Sequence, residues 1–232
     1  MQNHKSIEQL WILEHCSSHT RQQFAKLGRI TAYPKNHHCL RAREKNANIF
    51  FILSGKVHIY TLTKNGSKKV LFILGKNHIA NGNLTDHYNT TFCETMEPCQ
   101  MYVIRREHLL SLMEQDFRLT KALLHYQERK LWRLEHQLKN TVGSIYLERK
   151  LAAKLWKLAR DFGIRTEKGI LIDIDLSITF LADLLGVPRE NASRACKKLT
   201  DYRLITIEKK KIYILDAERM AVFYKDGVLE TL

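Results

Sequence analysis

Two different periods of hydrophobic and polar residues divide the chain. Between residues 29 and 104, short apolar runs such as FFILSG, KVHIYTLT and VLFILGKNHI alternate with turn residues. Such runs predict short antiparallel strands, arranged as a β-roll or barrel. Asn65-Gly66 predicts a hairpin with a type I′ turn, because both central residues of that turn need positive φ.

The period becomes helical after residue 105, and no Gly or Pro interrupts residues 116–139. This stretch predicts one long helix. Its heptad positions hold Leu124, Leu131 and Leu138, with Gln127, Leu134 and Thr141 between them. The heptad repeat predicts a symmetric dimer. The alternative is an amphipathic helix that packs against its own domain, which the polar Gln127 favours.

The pattern changes again beyond a predicted hinge at residues 141–144. An amphipathic helix ending near Gly163 is followed by an extended stretch, ILIDIDL, two helical runs and a hairpin-like pair, LITIEKK and KIYILD. We predict an α+β protein with a sensing β-roll, or jelly-roll, domain, a dimerisation helix and a winged helix-turn-helix domain. Their predicted bounds are 1–115, 116–140 and 141–232.

The two helical runs between residues 177 and 204 are typical of a helix-turn-helix. Ser177, with Thr179 beside it, can cap the first run, and a helix N-terminus suits a DNA phosphate. Gly186 permits the sharp turn, and Pro188 opens the second run, where its missing N–H does no harm.

One side of the second run is polar, as the major groove requires. Its members are Arg189, Glu190, Ser193, Arg194 and Lys197. Arg can bond to guanine, Glu to the cytosine amino group and Ser to several base edges. The inward side holds Ala192, Cys196 or Ala195, and Leu199. Lys209, Lys210 and Lys211 are expected at the tip of a wing over the DNA backbone.

Composition agrees with a polyanionic partner but does not locate its site. The 38 basic and 24 acidic residues give a net charge of +14, which favours nucleic acid. Residues 1–140 carry 21 basic and 11 acidic groups, whereas residues 141–232 carry 17 and 13. Without a membrane span or a secretion signal we expect a cytoplasmic protein whose five cysteines are free thiols.

These residues carry a family resemblance. The segment LADLLGVPRENASRACKKLTDYRLI resembles the Crp/Fnr regulators, and FILSGKV at 51–57 resembles their β-roll motif. The resemblance implies a homodimer on a two-fold symmetric DNA operator, with RNA polymerase as a partner. It implies that Glu190, Ser193 and Arg194 read a TTGA-like half-site. Arg203 departs from a frequent Gly of the family, and Asn191 from a common Thr.

The resemblance also bears on the sensor. Cyclic-nucleotide binders of the family carry Gly-Glu and a downstream Arg-Ser in the roll. Residues 75–98 here offer Asn81-Gly82-Asn83 and no arginine, so we predict no tight binding of cyclic AMP. Cys16 and Cys39 are too isolated for an iron–sulfur cluster, and we expect no cofactor or metal. Cys93 and Cys99 could pair on oxidation.

The stretch ETMEP, followed by MYVIRREHL, is similar to halorespiration regulators of the CprK type, which bind chlorinated aromatics. The family places such an effector between the roll and the long helix. Four candidate contacts lie there, namely Tyr126, Lys130, Trp132 and Arg133. An aromatic and cationic lining would suit an aromatic anion. The alternative is that these side chains belong to the core or to solvated faces.

Three classes of function are compatible with the sequence. A regulator controlled by a small molecule or by redox state is favoured by the polar face of the second helical run. An enzyme on the β-roll would need two or three inward His with a carboxylate, and no HxH pair supports it. We therefore expect no catalytic residue. The third class is a binding module that acts through protein contacts, or a regulator that needs no effector.

Overall fold

A computed structural model describes Ile7 and residues 10–86, 88–139 and 146–227. The chain forms two compact units, Met1–Leu134 and Glu135–Leu232. The predicted hinge at residues 141–144 lies outside the described residues. No helix of the described residues is long and apolar enough to cross a membrane.

The first unit places a β-structure before a long helix. In chain order its elements are a 3-10 turn (Trp11–Leu13), α1 (Ser18–Leu27), β1 (Gly28–Tyr33), β2 (His38–Leu40), β3 (Asn48–Ser54), β4 (Val57–Leu62), β5 (Lys68–Leu74), β6 (Phe92–Thr95), β7 (Cys99–Arg105), α2 (Arg106–Gln115) and most of α3 (Phe117–Lys139), whose last five residues belong to the second unit. The strands form two antiparallel sheets, ordered β1-β7-β3 and β2-β6-β4-β5. The predicted strands and the long helix are confirmed, whereas the patterns above do not predict α1.

The two sheets enclose one apolar core, and the helices cover a second. Ile52, Val57 and Met101 lie in the first core, between the sheets. Phe24 of α1 and Leu119 of α3 belong to the second, which covers the other face of the sheet β1-β7-β3. A sheet buried on both faces explains why the strands read as nearly continuous apolar runs rather than as alternating ones.

The hairpin at Asn65-Gly66 is confirmed, but its predicted turn type is wrong. β4 and β5 are paired, and Thr63 N–H donates to the carbonyl of Ser67 at 2.9 Å. Only Gly66 has positive φ, at 77°, and its N–H donates to the carbonyl of Thr63. A three-residue loop with one left-handed glycine therefore replaces the two-residue type I′ turn.

The leucine row of α3 is exposed in a single chain. Leu124, Leu131 and Leu138 are 54%, 57% and 67% exposed. Leu134, one position of the intervening row, is partly buried and packs against the core between the two sheets. Among the described residues, the helix therefore has one apolar row that is exposed to solvent.

The second unit combines helices with a small sheet. Its elements are α4 (Leu147–Phe162), β8 (Gly163–Thr166), β9 (Gly169–Ile172), α5 (Ile178–Leu185), α6 (Arg189–Asp201), β10 (Ile205–Glu208), β11 (Lys211–Ile214) and α7 (Ala217–Asp226). The strand order is β10-β11-β9-β8. The predicted hairpin of β10 and β11 and the two short helices are confirmed, and the extended stretch ILIDIDL contributes only its first residues, to β9.

Candidate DNA-binding surface and effector pocket

The helix α5 has a defined start and a defined end. The hydroxyl of Ser177 accepts a hydrogen bond from Phe180 N–H at 3.1 Å, which satisfies one of the amide donors that a helix N-terminus leaves without a partner. Gly186 ends the helix in the left-handed conformation, with φ of 74°. That conformation suits glycine, because other residues pay a steric penalty for it. Thr179 lies exposed on the first turn.

The helix α6 separates a buried side from a charged side. Its buried residues are Ala192, Ala195, Cys196 and Leu199. Its exposed candidates for DNA contact are Arg189, Glu190, Ser193, Arg194 and Lys197. Both sets agree with the division predicted from the sequence. Four small or apolar residues on one side hold the helix in the domain, so that the polar side is left to solvent.

Asn191, which the sequence patterns do not mark as functional, orients one of these side chains. The guanidinium of Arg194 donates a hydrogen bond to the side-chain carbonyl of Asn191. The two residues are three apart on the helix, a spacing at which side chains are neighbours. That spacing was visible in the sequence and could have identified the pair.

The tip of the wing holds fewer lysines than the sequence predicts. Lys209 and Lys210 form the exposed tip, with φ of 48° and 70°. Lys211 is instead the first residue of β11, and its Nζ lies 3.4 Å from Asp173 and 3.1 Å from Asp175. Its charge is therefore paired within the unit, which leaves two lysines at the tip.

A cavity of about 400 Å³ lies beside α3 in the first unit. It is lined by Trp11, Glu14, Phe72, Leu74, Asn77, His78, His125, Tyr126, Arg129, Lys130 and Arg133. The structure thus brings together three of the four predicted effector contacts, Tyr126, Lys130 and Arg133. The fourth, Trp132, does not line the cavity and is 57% exposed.

Tyr126 is tied to the backbone of the roll. Its hydroxyl accepts from Ile79 N–H at 2.9 Å and donates to the Ile79 carbonyl at 3.3 Å. Burial raises the pKa of Tyr126 to about 12, so that the phenol stays neutral. The ring of Trp11 stacks on it with centroids 5.2 Å apart. Tyr126 thus offers the cavity an aromatic face rather than a free hydroxyl.

Lys130 and Arg133 bring positive charge to the same wall. Lys130 Nζ donates to the Asn81 carbonyl at 3.0 Å and lies 5.7 Å from the centre of the Phe72 ring. Arg133 lies 5.9 Å from the same ring and donates to His78 Nε2 at 3.5 Å. Burial, assisted by the charge of Arg133, lowers the pKa of Lys130 to about 8. An anion bound here would stabilise the charged form of the lysine and raise its pKa.

Asn81, which stands in the stretch expected to hold cyclic nucleotides, serves the fold. It is completely buried. Its side-chain oxygen accepts from Phe50 N–H, and its amide nitrogen donates to the Asn48 carbonyl, both at 2.9 Å. These bonds use the side chain to join the loop to β3, so it does not face a ligand.

Two histidines of the roll meet at one carboxylate. The Nε2 atoms of His38 and His58 each lie 3.6 Å from the same oxygen of Glu94. Burial lowers the pKa of His58 to about 4, which keeps that imidazole neutral near pH 7. Within the described residues, no group of three His, Cys, Asp or Glu side chains could hold a metal ion.

Models of known protein families match parts of both units. Residues 30–116 match the cyclic nucleotide-binding domain, and residues 149–223 match the Crp-like helix-turn-helix domain. The chain is 26% identical over 192 residues to a CRP-like cAMP-activated global transcriptional regulator of Mycobacterium tuberculosis. That match covers 82% of this chain and 85% of the relative.

Solved structures share the fold. FixK2 from Bradyrhizobium japonicum superimposes with a TM-score of 0.73 at 16% identity, over 84% of this chain and 96% of that one. CprK complexed with OCPA gives a TM-score of 0.64 at 18% identity, over 88% and 93% of the two chains. At these levels of identity, the similarity shows a shared fold.

Proposed function

Because the chain belongs to the Crp/Fnr family of DNA-binding transcription regulators, we propose that it acts as a homodimer on a palindromic DNA operator. In this proposal a small organic anion or the redox state controls DNA binding. The protein acts as an activator, with RNA polymerase as a further partner. Sensing belongs to residues 1–115, dimerisation to 116–140 and DNA binding to 141–232.

The exposed side of α6 carries this proposal. Glu190, Ser193 and Arg194 read the base edges of a TTGA-like half-site, with Arg194 oriented by Asn191. Phosphate contacts come from the rest of the surface, since cations and helix N-termini bind phosphates without sequence choice. These contacts are Arg189, Lys197, Lys209, Lys210, Ser177 and Thr179.

The exposed leucines of α3 support a dimer. Leu124, Leu131 and Leu138 repeat every seven residues and leave apolar surface in water. A second copy of the same helix would cover this row, as in a parallel coiled coil. Two half-sites related by two-fold symmetry follow from such a dimer.

The effector of this proposal is an aromatic anion bound in the cavity beside α3. Three basic residues, Arg129, Lys130 and Arg133, line it together with aromatic rings, and Glu14 is the one acidic residue among its described lining. Cyclic AMP is disfavoured because residues 75–98 lack an arginine for the cyclic phosphate.

Selection of bound DNA from a random pool tests the proposed base contacts of α6. We expect symmetric sites with TTGA-like halves, and we expect Arg194→Ala to lose them. Arg219→Ala serves as the matched control, because Arg219 lies on α7, outside the proposed contacts. Recovery of the same sites by Arg194→Ala, or of asymmetric sites by the unchanged protein, would contradict the proposal.

Calorimetry tests the effector. We expect benzoate, phenylacetate or a phenolate to bind the unchanged protein, and Lys130→Gln combined with Arg133→Gln to weaken that binding at least about tenfold, as expected for loss of two cationic partners. Lys121→Gln, an exposed site on the same helix, is the control. Micromolar binding of cyclic AMP would refute its exclusion.

A further inference from the structure

Three of the five cysteines gather inside the β-roll. Cys93 and Cys99 belong to the apolar core between the two sheets, and Cys39 is partly buried against that core. The other two cysteines, Cys16 and Cys196, are buried in other places. Three thiols from three strands therefore share one small region of the roll.

Cys39 and Cys93 lie on two paired, neighbouring strands. β2 pairs with β6, and the register shifts between His38, opposite Glu94, and Leu40, opposite Cys93. Cys39 occupies this irregular position, and its side chain packs against the core cluster that contains Cys93. Opposite residues on adjacent strands have Cβ atoms about 4.5–5.5 Å apart, against about 3.5–4.5 Å in a disulfide, so a small local movement would allow the bond to form.

Cys99 makes different contacts. Its thiol donates to the carbonyls of Lys56, at 3.4 Å, and Glu97, at 3.2 Å. It also stands on β7, in the opposite sheet. Cys99 also lies near enough to Cys39 and Cys93 for an electrostatic interaction, but only Cys39 shares a paired strand ladder with Cys93, which favours Cys39 as its partner over the Cys99 expected from sequence proximity.

The two partners differ in access to solvent. Cys39 is partly exposed, whereas Cys93 is completely buried. A side-chain hydrogen bond with Cys39 that favours the neutral thiol, together with burial, raises the pKa of Cys93 well above its usual range, so Cys93 is a poor target for an external oxidant. An oxidant that enters from solvent meets Cys39 first.

We propose that Cys39 and Cys93 are a peroxide-responsive thiol pair that closes to an intrachain disulfide within the β-roll. The Cys39 thiolate attacks one oxygen of a hydroperoxide, the O–O bond breaks, and the alkoxide takes up a proton and leaves as an alcohol. Cys93 then attacks the resulting sulfenic sulfur, and its proton leaves with the sulfenic hydroxyl as water. Two thiols lose two electrons, and one hydroperoxide gains them.

One thiol of this pair interacts electrostatically with a lysine of the proposed effector cavity. Lys130, which lines the cavity, lies close enough to Cys93 for an electrostatic interaction. Closing the disulfide draws β2 and β6 together and alters the packing beneath that lysine. The regulatory consequence rests on the proposed function, since it takes the cavity as the effector site, whereas the disulfide itself does not.

Peptide mapping of the full chain tests the disulfide. The reduced protein is treated with tert-butyl hydroperoxide, alkylated, and digested with trypsin and a glutamate-specific protease. Cleavage after Glu94 separates Cys93 from Cys99, and Lys35 and Arg41 bracket Cys39. We expect a Cys39–Cys93 linked peptide in the unchanged protein and in Cys99→Ser, and its loss in Cys39→Ser. A Cys93–Cys99 link, a link between chains, or five free thiols after treatment would overturn the proposal.

A DNA-binding assay separates the two proposals. On a palindromic operator we expect peroxide to change the affinity of the unchanged protein by at least about fivefold, the lower end of common allosteric couplings. Cys39→Ser should bind like the reduced protein with or without peroxide. A mapped disulfide with equal affinity in both states would remove the regulatory role and leave the disulfide. Absence of any palindrome binding by the reduced protein would refute the proposed function, while the mapping would still decide the disulfide.

Discussion

The cationic side chains of α6 and Lys130 of α3 differ in their exposure to water. On α6, Arg194 and Lys197 stay exposed, whereas on α3 burial lowers the pKa of Lys130 to about 8. An external polyanion such as DNA can bind cations that are already in water, since it releases counterions in return. A small anion must enter the protein, so its partners are held partly desolvated and bind it more selectively.

The largest change in binding free energy is expected for Arg194, one of the exposed cations of α6. Arg194→Ala should weaken binding to a specific operator by about 1–3 kcal/mol, since a bidentate contact to guanine has that worth. Fluorescence anisotropy at fixed salt measures the loss. Asn191→Ala should give a smaller loss, because it removes only the orienting hydrogen bond.

A double variant of these two residues distinguishes orientation from charge. If Asn191 acts through Arg194, Asn191→Ala should have no further effect in an Arg194→Ala background. Additive losses would mean that the two side chains contact DNA independently, and equal affinity of Arg194→Ala and the unchanged protein would remove Arg194 from the reading surface.

Lys130 should show the opposite behaviour, in which removing a charge stabilises the protein. The pKa is about 8 in the folded state against an ordinary 10.5, so the charged lysine is disfavoured on folding below pH 8. This penalty disappears as pH rises from 8 through 10.5. At pH 7, Lys130→Met should therefore be more stable than the unchanged protein. This advantage in unfolding free energy should shrink by about 1–2 kcal/mol between pH 7 and pH 10.5.

Urea unfolding at the two pH values measures this difference. Lys121→Met, a change at an exposed position of the same helix, should show no pH-dependent difference. A pH-independent effect of Lys130→Met would show that Lys130 keeps an ordinary pKa and that the contrast between the two regions is wrong.

A smaller effect is expected at Lys197 of α6. Lys197→Met should reduce the slope of log affinity against log salt by about 1 and weaken all DNA sequences alike, as for a phosphate contact. Its unfolding free energy should change by less than about 0.5 kcal/mol, because the site is exposed. Titrations of operator and unrelated DNA at several salt concentrations measure the slope, and a sequence-dependent loss would assign Lys197 to base reading.

The smallest expected effect concerns the backbone and not charge. Arg203 adopts a left-handed φ of 54°, which is costly for residues other than glycine. Arg203→Gly should therefore stabilise the second unit by about 0.5–1 kcal/mol. Thermal unfolding of Arg203→Gly and Arg203→Ala measures it, since both remove the charge. Equal stability of the two variants would show that the backbone conformation is not the cause.

Some features were predictable from sequence because their causes are local. The cap at Ser177, the turn at Gly186 and the two sides of α6 depend on residues a few positions apart, and all three appear as expected. The turn at Asn65-Gly66 was predicted less well, because the same dipeptide fits loops of two and of three residues and strand pairing selects between them.

The cavity was predictable only in part. Tyr126, Lys130 and Arg133 are spaced by four and three residues, which places them on one face of a helix. Trp132 is close in sequence but lies off that face, and helical spacing would have separated it from the others. The opposite wall, which includes Phe72, comes from a distant strand, and no local pattern indicates it.

The sequence by itself determined the order of the roll, the long helix and the helix-turn-helix, and which side chains α6 exposes. Periodicity and helix capping act over one or two turns, so their outcome is written in neighbouring residues. Tertiary structure alone decided which thiol meets Cys93 and which charges share a cavity with Tyr126. Those contacts depend on strand register and on the packing of a helix against a sheet, which involve residues far apart in the chain.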